Sequence, residues 1–163
     1  MKLKKLGGSV YIYRVGNSYI KAKMKEGDFA LGGELSGHIF FRDRWPGFDD
    51  GIYAGLRFIE ILTRNKKKAS ELLDGVNKYY STPEIKIKST ETEKYKLVEK
   101  IKEYAISKGY DICDIDGVRV EFDDSWMLAR ATQTGPDVGM RFEAKTEERL
   151  KELMDEFRKV VEF

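Results

Sequence analysis

Hydrophobic and polar positions along the first 76 residues alternate between strand spacing and helical spacing. Apolar runs at 9–13 and 38–41 predict strands. Helical spacing predicts a short helix at 19–25, a longer one that opens at Asp49-Asp50-Gly51, and a third at 69–76. The longer helix carries one apolar stripe, which comprises Ile52, Leu56, Ile59 and Leu62. Strands that alternate with helices in this way predict a partial parallel α/β layer.

A different pattern starts after a change of composition between Gly75 and Pro83. A Thr90-x-x-Glu93 capping box opens a helix that Gly109 ends, and Thr146 begins the last helix. The segments with strand patterning lie at 84–88, 117–122, 126–131 and 139–144. The order β-α-β-β-β-α predicts an α+β unit, in which a mostly antiparallel four-stranded sheet carries two helices on one face.

The two patterns predict a domain at 1–76, a linker at 77–83 and a second domain at 84–163. Lys and Arg number 30 and Asp and Glu 28, so the formal net charge is only +2, which argues against a nucleic-acid partner. No apolar run approaches the ~20 residues of a membrane span, and a single cysteine excludes an internal disulfide. The composition therefore predicts a soluble cytoplasmic protein with no nucleic-acid or membrane partner.

The stretch Gly32-Gly33-Glu34-Leu35-Ser36-Gly37-His38 is the richest in side chains that can bind a ligand. Glycines let a backbone approach a ligand closely, and the oxygens of Glu34 and Ser36 can hydrogen-bond sugar hydroxyls. A plain turn between two strands explains the same residues equally well. The only histidine, His38, is either a general acid or base or a structural residue, and the residues alone favour the structural interpretation.

A second candidate site is Arg130 with the segment after it, Ala131-Thr132-Gln133-Thr134-Gly135-Pro136. An arginine at a strand end, followed by hydroxyls, an amide and backbone N–H groups, can form an anion nest for phosphate. An ordinary hairpin loop is the alternative, and the residues alone slightly favour it.

No metal site is predicted from the residues. One histidine and one cysteine exclude a zinc constellation. Acidic residues at 111, 114 and 116 alternate with apolar ones, which indicates a turn entering a strand.

Two sets of motifs resemble one enzyme family. The run from Gly32 to Phe41, followed by Arg44-Trp45 and Gly47-Phe48-Asp49-Asp50-Gly51-Ile52-Tyr53, is similar to the sugar-binding segment of bacterial phosphomannomutase/phosphoglucomutase, in the α-D-phosphohexomutase superfamily. Matches to the family's C-terminal domain follow in the same order: Thr82-Pro83-Glu84-Ile85, Asp114-Ile115-Asp116-Gly117-Val118-Arg119-Val120, Arg130-Ala131-Thr132-Gln133-Thr134 and Arg141-Phe142-Glu143-Ala144. The resemblance covers the end of the third domain and all of the fourth.

The resemblance implies the substrate-binding portion of a hexose-phosphate mutase. Such an isomerase of carbohydrate metabolism interconverts the 1- and 6-phosphates of glucose or mannose through a bisphosphate. By resemblance, Glu34 and Ser36 would hold sugar hydroxyls, and His38 would act near the transferred phosphoryl group as a positioning or acid/base residue. The phosphate that does not react would be held by Arg130, Thr132, Gln133 and Thr134.

The sequence lacks two motifs that the resemblance leads one to expect. The phosphoserine motif Ser-His-Asn-Pro and the magnesium loop Asp-Gly-Asp-x-Asp-Arg do not occur. We therefore expect no cofactor in this chain, Mg²⁺ only in the complete enzyme, and no activity from this chain alone. The missing N-terminal half is expected as domains of the same protein or as a separate chain. The alternative is a non-catalytic phosphosugar-binding or structural module that needs a partner.

Three departures and one topological feature give further expectations. Asn17 stands where the family commonly has a phosphate-binding histidine, and Thr132 and Gln133 replace a serine and the residue after it. A weak isolated phosphate site follows, with a Kd no tighter than ~1 µM. Too few strands for a complete third domain leave an open sheet edge, which predicts a partner, self-association or local disorder in residues 1–30.

Overall fold

A computed structural model describes residues 6–163 and divides the chain into two compact units, Met1–Val76 and Asn77–Phe163. The first unit contains α1 (Asn17–Glu26), β1 (Leu31–Gly33), β2 (Ile39–Phe41), α2 (Gly51–Asn65) and a 3-10 helix (Ala69–Leu73). The helices and the strand near 38–41 lie where the apolar spacing predicts them. Residues 1–5, part of the segment predicted to be disordered or partnered, lie outside the described residues.

Strand pairing in the first unit differs from the prediction. β1 and β2 pair antiparallel, with Leu31 opposite Phe41 and Gly33 opposite Ile39, in place of the predicted parallel pairing. A connection as short as 34–38 can join two neighbouring strands only in this way. The strand predicted at 9–13 is wrong. Tyr11 lies against Phe29 there, but residues 9–13 form no ladder with another described segment. Strand propensity alone does not supply a hydrogen-bonded neighbour.

Helix α2 begins as its sequence predicts, and its apolar face is not covered by another element. The Asp50 side chain accepts a hydrogen bond from the Tyr53 backbone N–H at 2.9 Å, so the predicted N-cap is confirmed. Its predicted apolar stripe is exposed: Ile52 is 83% exposed, Leu56 60% and Ile59 58%. No residue of α2 is buried among the residues that the structure describes. Part of the apolar face of the first unit therefore has no partner within the described chain.

The second unit is an antiparallel sheet with two long helices. Its elements are β3 (Tyr80–Ser81), β4 (Ile85–Ile87), α3 (Glu93–Ser107), β5 (Asp111–Cys113), β6 (Val118–Glu121), β7 (Ser125–Ala131), β8 (Val138–Ala144) and α4 (Glu147–Arg158). The strands lie in the order β3-β8-β7-β6-β5, and β4 also pairs with β8. The mixed α/β class and the antiparallel pairing are confirmed. The sheet has six strands rather than four, because β3 and β5 are too short to show a period.

Both helices of the second unit cover the same face of this sheet. Val120 faces Met127 and Ala129 faces Met140 across the ladders. The buried cluster contains these side chains together with residues of both helices: Ile101, Ala105, Leu153 and Phe157. The prediction of two helices on one face is therefore confirmed. Alternate residues, such as Trp126, Leu128 and Arg130 of β7, point to the opposite face.

Helix starts in the second unit follow the predicted capping chemistry in part. Thr146 Oγ1 accepts a hydrogen bond from the Arg149 N–H at 3.1 Å, so this predicted start is confirmed. Of the capping box predicted at Thr90 and Glu93, only the bond from the Glu93 N–H to Thr90 Oγ1 forms, at 3.2 Å, because the Glu93 carboxylate accepts from Lys96 instead. No helix among residues 6–163 is both long enough and apolar enough to cross a membrane.

Candidate functional site

The first candidate loop is the turn of the β1–β2 hairpin. The Glu34 N–H donates to the His38 carbonyl at 2.9 Å, which closes the turn. The Glu34 carboxylate accepts a hydrogen bond from the Gly16 N–H at 3.3 Å, at the start of α1, where unpaired amides favour a negative charge. Ser36 Oγ lies 3.5 Å from the same carboxylate. The sequence-predicted residues Glu34 and Ser36 thus lie together, and α1 fixes the carboxylate.

His38 is half-exposed and is held by a carboxylate on another element. Its Nδ1 lies 2.6 Å from Asp49 Oδ2, and Asn17 Nδ2 donates to the same oxygen at 3.2 Å. The isolated bridge between Phe40 and Asp49 brings Asp49 beside β2. A neutral His38 that donates from Nδ1 to Asp49 keeps Nε2 as an acceptor toward solvent. Asn17, at the position where the family resemblance leads one to expect histidine, therefore also belongs to this loop.

These side chains suit neutral hydroxyl groups better than anions. Two carboxylates, one hydroxyl and one imidazole offer mainly acceptors, and hydroxyl groups of a polyol donate to such acceptors. An anion beside Glu34 would meet its negative charge at short range. Charge alone therefore favours hydroxyl groups at Glu34 and Ser36.

A network of ion pairs fixes the chain just after the hairpin. Arg57 of α2 donates to Asp43 at 2.8 Å, and Arg44 donates to Glu60 through both terminal nitrogens. The Arg57 guanidinium lowers the pKa of Asp43 to about 2, and the hydrogen bond from Arg44 lowers the pKa of Glu60. Trp45 stacks on Tyr53 with the ring centres 4.4 Å apart. Segment 42–47 is thus tied to α2.

The second candidate loop connects β7 to β8. The Thr132 N–H donates to the Asp137 carbonyl at 2.9 Å, and Thr132 Oγ1 donates to the Gly135 carbonyl at 2.8 Å. The Thr132 hydroxyl proton is therefore used inside the loop. Gln133 and Thr134 are exposed, and their N–H groups have no acceptor among residues 6–163. Free amides on one turn are the donors that an anion nest requires.

Arg130 lies on the open sheet face where β7 ends. Its Nη1 lies 3.5 Å from Asp116 Oδ2, a loose ion pair that leaves other guanidinium donors for a ligand. Gly117, with φ +84°, follows Asp116 and packs directly on β7. A Cβ on Gly117 would lie 2.3 Å from the Ala129 carbonyl oxygen, so only glycine lets this turn approach Arg130.

Sequence reasoning missed two contributors to these loops. The spacing predicts Asp49 only as part of a helix start, although it belongs to the same set of family-like motifs as His38. Lys94 carried no signal, because its spacing along α3 is that of an ordinary surface lysine. The structure buries Lys94 against the second loop, where its Nζ donates to the Thr132 carbonyl at 2.9 Å.

Metal-ligating side chains do not gather in the described part of the chain. Among residues 6–163 there is no group of three or more His, Cys, Asp and Glu side chains placed to hold an ion. Of the acidic cluster predicted to form a turn, Asp114 pairs with Lys102 at 2.8 Å and Asp116 pairs with Arg130. These residues do not fit a magnesium ion.

The fold and the loops define a mixed α/β protein with one acceptor-rich loop and one amide-rich loop. Comparison with sequence families places it further. Residues 2–79 match "Phosphoglucomutase/phosphomannomutase, alpha/beta/alpha domain III", and residues 84–160 match "Phosphoglucomutase/phosphomannomutase, C-terminal domain". The chain belongs to the phosphoglucomutase/phosphomannomutase family, which confirms the resemblance seen in its motifs.

Relatives from several bacteria and an archaeon agree with this assignment. The chain is 42% identical over 152 residues to a phosphomannomutase/phosphoglucomutase of Pseudomonas aeruginosa, covering 93% of this chain and 33% of the relative. It is 40% identical to a phosphoglucomutase of Neisseria gonorrhoeae, covering 98% and 35%. A phosphoglucomutase/phosphomannomutase of Thermococcus kodakarensis is 35% identical, over 93% and 33%.

A solved structure is similar throughout the chain. A phosphoglucomutase/phosphomannomutase family protein from Burkholderia thailandensis superimposes with a TM-score of 0.85 at 41% identity, over 97% of this chain and 33% of that one. The chain thus spans about one third of the length of the relatives that it matches.

Proposed function

We propose that the chain is the substrate-binding portion of a hexose-phosphate mutase. Two observations support this proposal together: the chain is about 40% identical to phosphomannomutases and phosphoglucomutases, and its two candidate loops have complementary chemistry. One loop presents acceptors for hydroxyl groups and the other presents donors for an anion. A hexose phosphate carries both kinds of group. Its ligands are glucose or mannose 1- and 6-phosphates.

The hairpin loop of the first unit binds the sugar. Glu34 and Ser36 accept from and donate to ring hydroxyls, and the contact with Gly16 holds the Glu34 carboxylate in place. His38, oriented through Nδ1 by Asp49, acts near the reacting phosphoryl group through Nε2. This arrangement supports a positioning or proton-transferring histidine, in place of the purely structural role that the residues alone favour.

The loop of the second unit binds the phosphate that does not react. Arg130 supplies charge, and the free N–H groups of Gln133 and Thr134 supply directed donors. Thr132 shapes the turn with its hydroxyl, since that proton is donated to Gly135. Holding a phosphate that does not react supplies positioning, which is the main contribution a protein makes to phosphoryl transfer.

Chemistry itself requires residues from elsewhere. Because the described residues gather no ligand set for Mg²⁺ and the sequence lacks the phosphoserine motif, we propose that the chain has no mutase activity by itself. Mg²⁺, when bound by the complete enzyme, would neutralise charge on the transferred phosphoryl group. The domains that supply these groups belong to the same protein or to a separate chain.

Equilibrium dialysis with labelled glucose 6-phosphate tests this function. We expect R130A to weaken binding by about tenfold or more, and E34Q to weaken glucose 6-phosphate but not inorganic phosphate. The matched controls are R158A and E26Q, which remove exposed ion-paired residues outside both loops. Equal affinity of R130A and wild type, or turnover of glucose 1-phosphate by the chain alone, would contradict the proposal.

A binding module that needs a partner is the second candidate, and the first unit favours it. The exposed stripe of α2 and a cleft of about 790 Å³ lined by Tyr11, Phe29 and Leu31 remain without a covering layer. β1 pairs only with β2 in the described chain, so its other edge is available to another strand. Sedimentation of the chain across a concentration series tests this candidate, and a monomer at every concentration contradicts self-association.

A further inference from the structure

A buried cation lies beneath the phosphate-binding candidate loop. Lys94 of α3 is 3% exposed, and its Nζ donates to the Thr132 carbonyl at 2.9 Å and to the Gly135 carbonyl at 3.1 Å. Glu91 provides the third contact at 2.7 Å, and its side chain is largely exposed. All three ammonium hydrogens thus have acceptors, two of them on one turn. Burial of a lysine is tolerated only with such compensation.

The position of Lys94 is unfavourable for a helix considered by itself. It lies in the first turn of α3, where the exposed N–H groups carry partial positive charge and acidic residues are preferred. A lysine side chain also loses much rotamer freedom when it is fixed. Neither helix stability nor solubility explains a cation at this place. Its contacts with the turn at 132–135 do.

The two carbonyl contacts determine which way the loop presents its amides. Peptide bonds of the described chain are all trans, so the N–H of Gln133 points away from the Thr132 carbonyl. Because that carbonyl faces Lys94, the Gln133 N–H faces outward. The second carbonyl belongs to the Gly135–Pro136 bond, which has no N–H to misdirect. Lys94 therefore holds the Thr132 and Gly135 carbonyls toward the protein and leaves the Gln133 N–H facing outward.

We propose that Lys94 is the positioning residue of the anion-binding loop, which it keeps in a donor-outward conformation from below. The proposal rests on the proposed phosphate-binding role of this loop and extends it to a residue on a different element. A phosphate monoester is the ligand class that outward-facing amide donors beside the Arg130 guanidinium favour.

The test uses the whole chain labelled with ¹⁵N and ¹³C. In the wild type we expect the Lys94 Nζ resonance to show scalar coupling through hydrogen bonds to the carbonyl carbons of Thr132 and Gly135. Lys96, an exposed lysine of the same helix that pairs with Glu93, serves as the control and should show none. Absence of the coupling at Lys94 would overturn the proposal, and this measurement needs no variant.

Binding of inorganic phosphate and of glucose 6-phosphate is then followed in K94M and K96M. K94M should shift the Gln133 amide without ligand and weaken both ligands about tenfold in the folded molecules, whereas K96M stays within about twofold of wild type. K94R, which retains a buried donor cation, should restore part of the affinity. If the wild type binds both ligands and K94M binds them equally well, the proposed role of Lys94 is overturned and the proposed function of the loop is not. No saturable shift in the wild type would overturn the proposed function on which it rests.

Discussion

Replacing Gly117 by alanine is expected to destabilise the second unit far more than a glycine substitution usually does. The added Cβ would lie 2.3 Å from the Ala129 carbonyl oxygen and 2.9 Å from the Arg130 Cα. Both atoms belong to the backbone of β7, which pairs with β6 on one side and β8 on the other. These backbone atoms cannot move away from the added Cβ without breaking hydrogen bonds between β7 and its neighbouring strands, so relieving the overlap costs free energy.

Gly109 provides a matched control for the magnitude. It also has a positive φ, +69°, but a Cβ there would meet no atom within 4 Å. G109A therefore reports the backbone cost alone, about 1–2 kcal/mol. G117A carries a similar cost plus about 1–3 kcal/mol for overpacking, so we expect about 2–5 kcal/mol in total. This is a large share of the roughly 5–15 kcal/mol that stabilises a typical domain.

Urea unfolding followed by tryptophan fluorescence measures this difference. The chain has two tryptophans, so a W45F background leaves Trp126 of β7 as the reporter for the second unit. We expect the midpoint to fall well below that of G109A at an unchanged slope. A G117A loss equal to or smaller than the G109A loss would show that β6 and β7 do not approach as described.

Three further substitutions test a hydrogen bond, an ion pair and the exposed helix face. Y104F removes a hydrogen-bond donor to Glu156 and should lower the free energy of unfolding by about 1–2 kcal/mol. The pKa of Tyr104 is raised to about 12, so this contribution is complete below about pH 10 and should vanish as the pH rises through 12. D43N should destabilise the first unit in neutral buffer, as followed by circular dichroism, and its stability should match that of the wild type near pH 2. Arg57 holds the pKa of Asp43 at about 2, so the stabilisation is lost as the pH falls from about 3.9 through that value. A difference in stability that persists below pH 2 would contradict the pairing. L56E should alter stability by less than about 0.5 kcal/mol while abolishing concentration-dependent sedimentation, and a large loss of stability in a monomer would mean that Leu56 is covered.

The second unit was largely predictable because its patterns are long. The strand at 126–131 and the helix after Thr146 repeat their apolar positions often enough to fix both their type and the face that is buried. β3 and β5 have only two or three residues, so no period exists to detect. The sequence pattern therefore predicts four strands, two fewer than the sheet contains.

The first unit was less predictable because its hydrophobic pattern shows which faces are apolar and not which elements pack against them. The stripe on α2 exists as predicted, yet Ile52 and Leu56 remain exposed. The apolar segment at 9–13 has strand composition but no neighbouring strand in the described chain. Local propensity cannot distinguish such a segment from one that pairs.

Candidate sites were predictable as loops and not as networks. The glycine-rich run and the Arg130 segment both carry recognisable residue types, and the structure places each on a hairpin turn. The contact between His38 and Asp49, and the one between Lys94 and the Thr132 carbonyl, join residues that are distant in sequence. Such contacts depend on tertiary packing, which periodicity does not encode.

An amide-resolved NMR titration with glucose 6-phosphate, beside a parallel titration with inorganic phosphate, would show whether the two loops bind a hexose phosphate. We expect inorganic phosphate to shift the Arg130, Thr132 and Gln133 resonances alone, and glucose 6-phosphate to shift those of Glu34 and Ser36 as well. Saturation should indicate a Kd weaker than ~1 µM in this chain. A folded spectrum in which neither loop responds to glucose 6-phosphate would contradict the assignment of these loops to substrate binding.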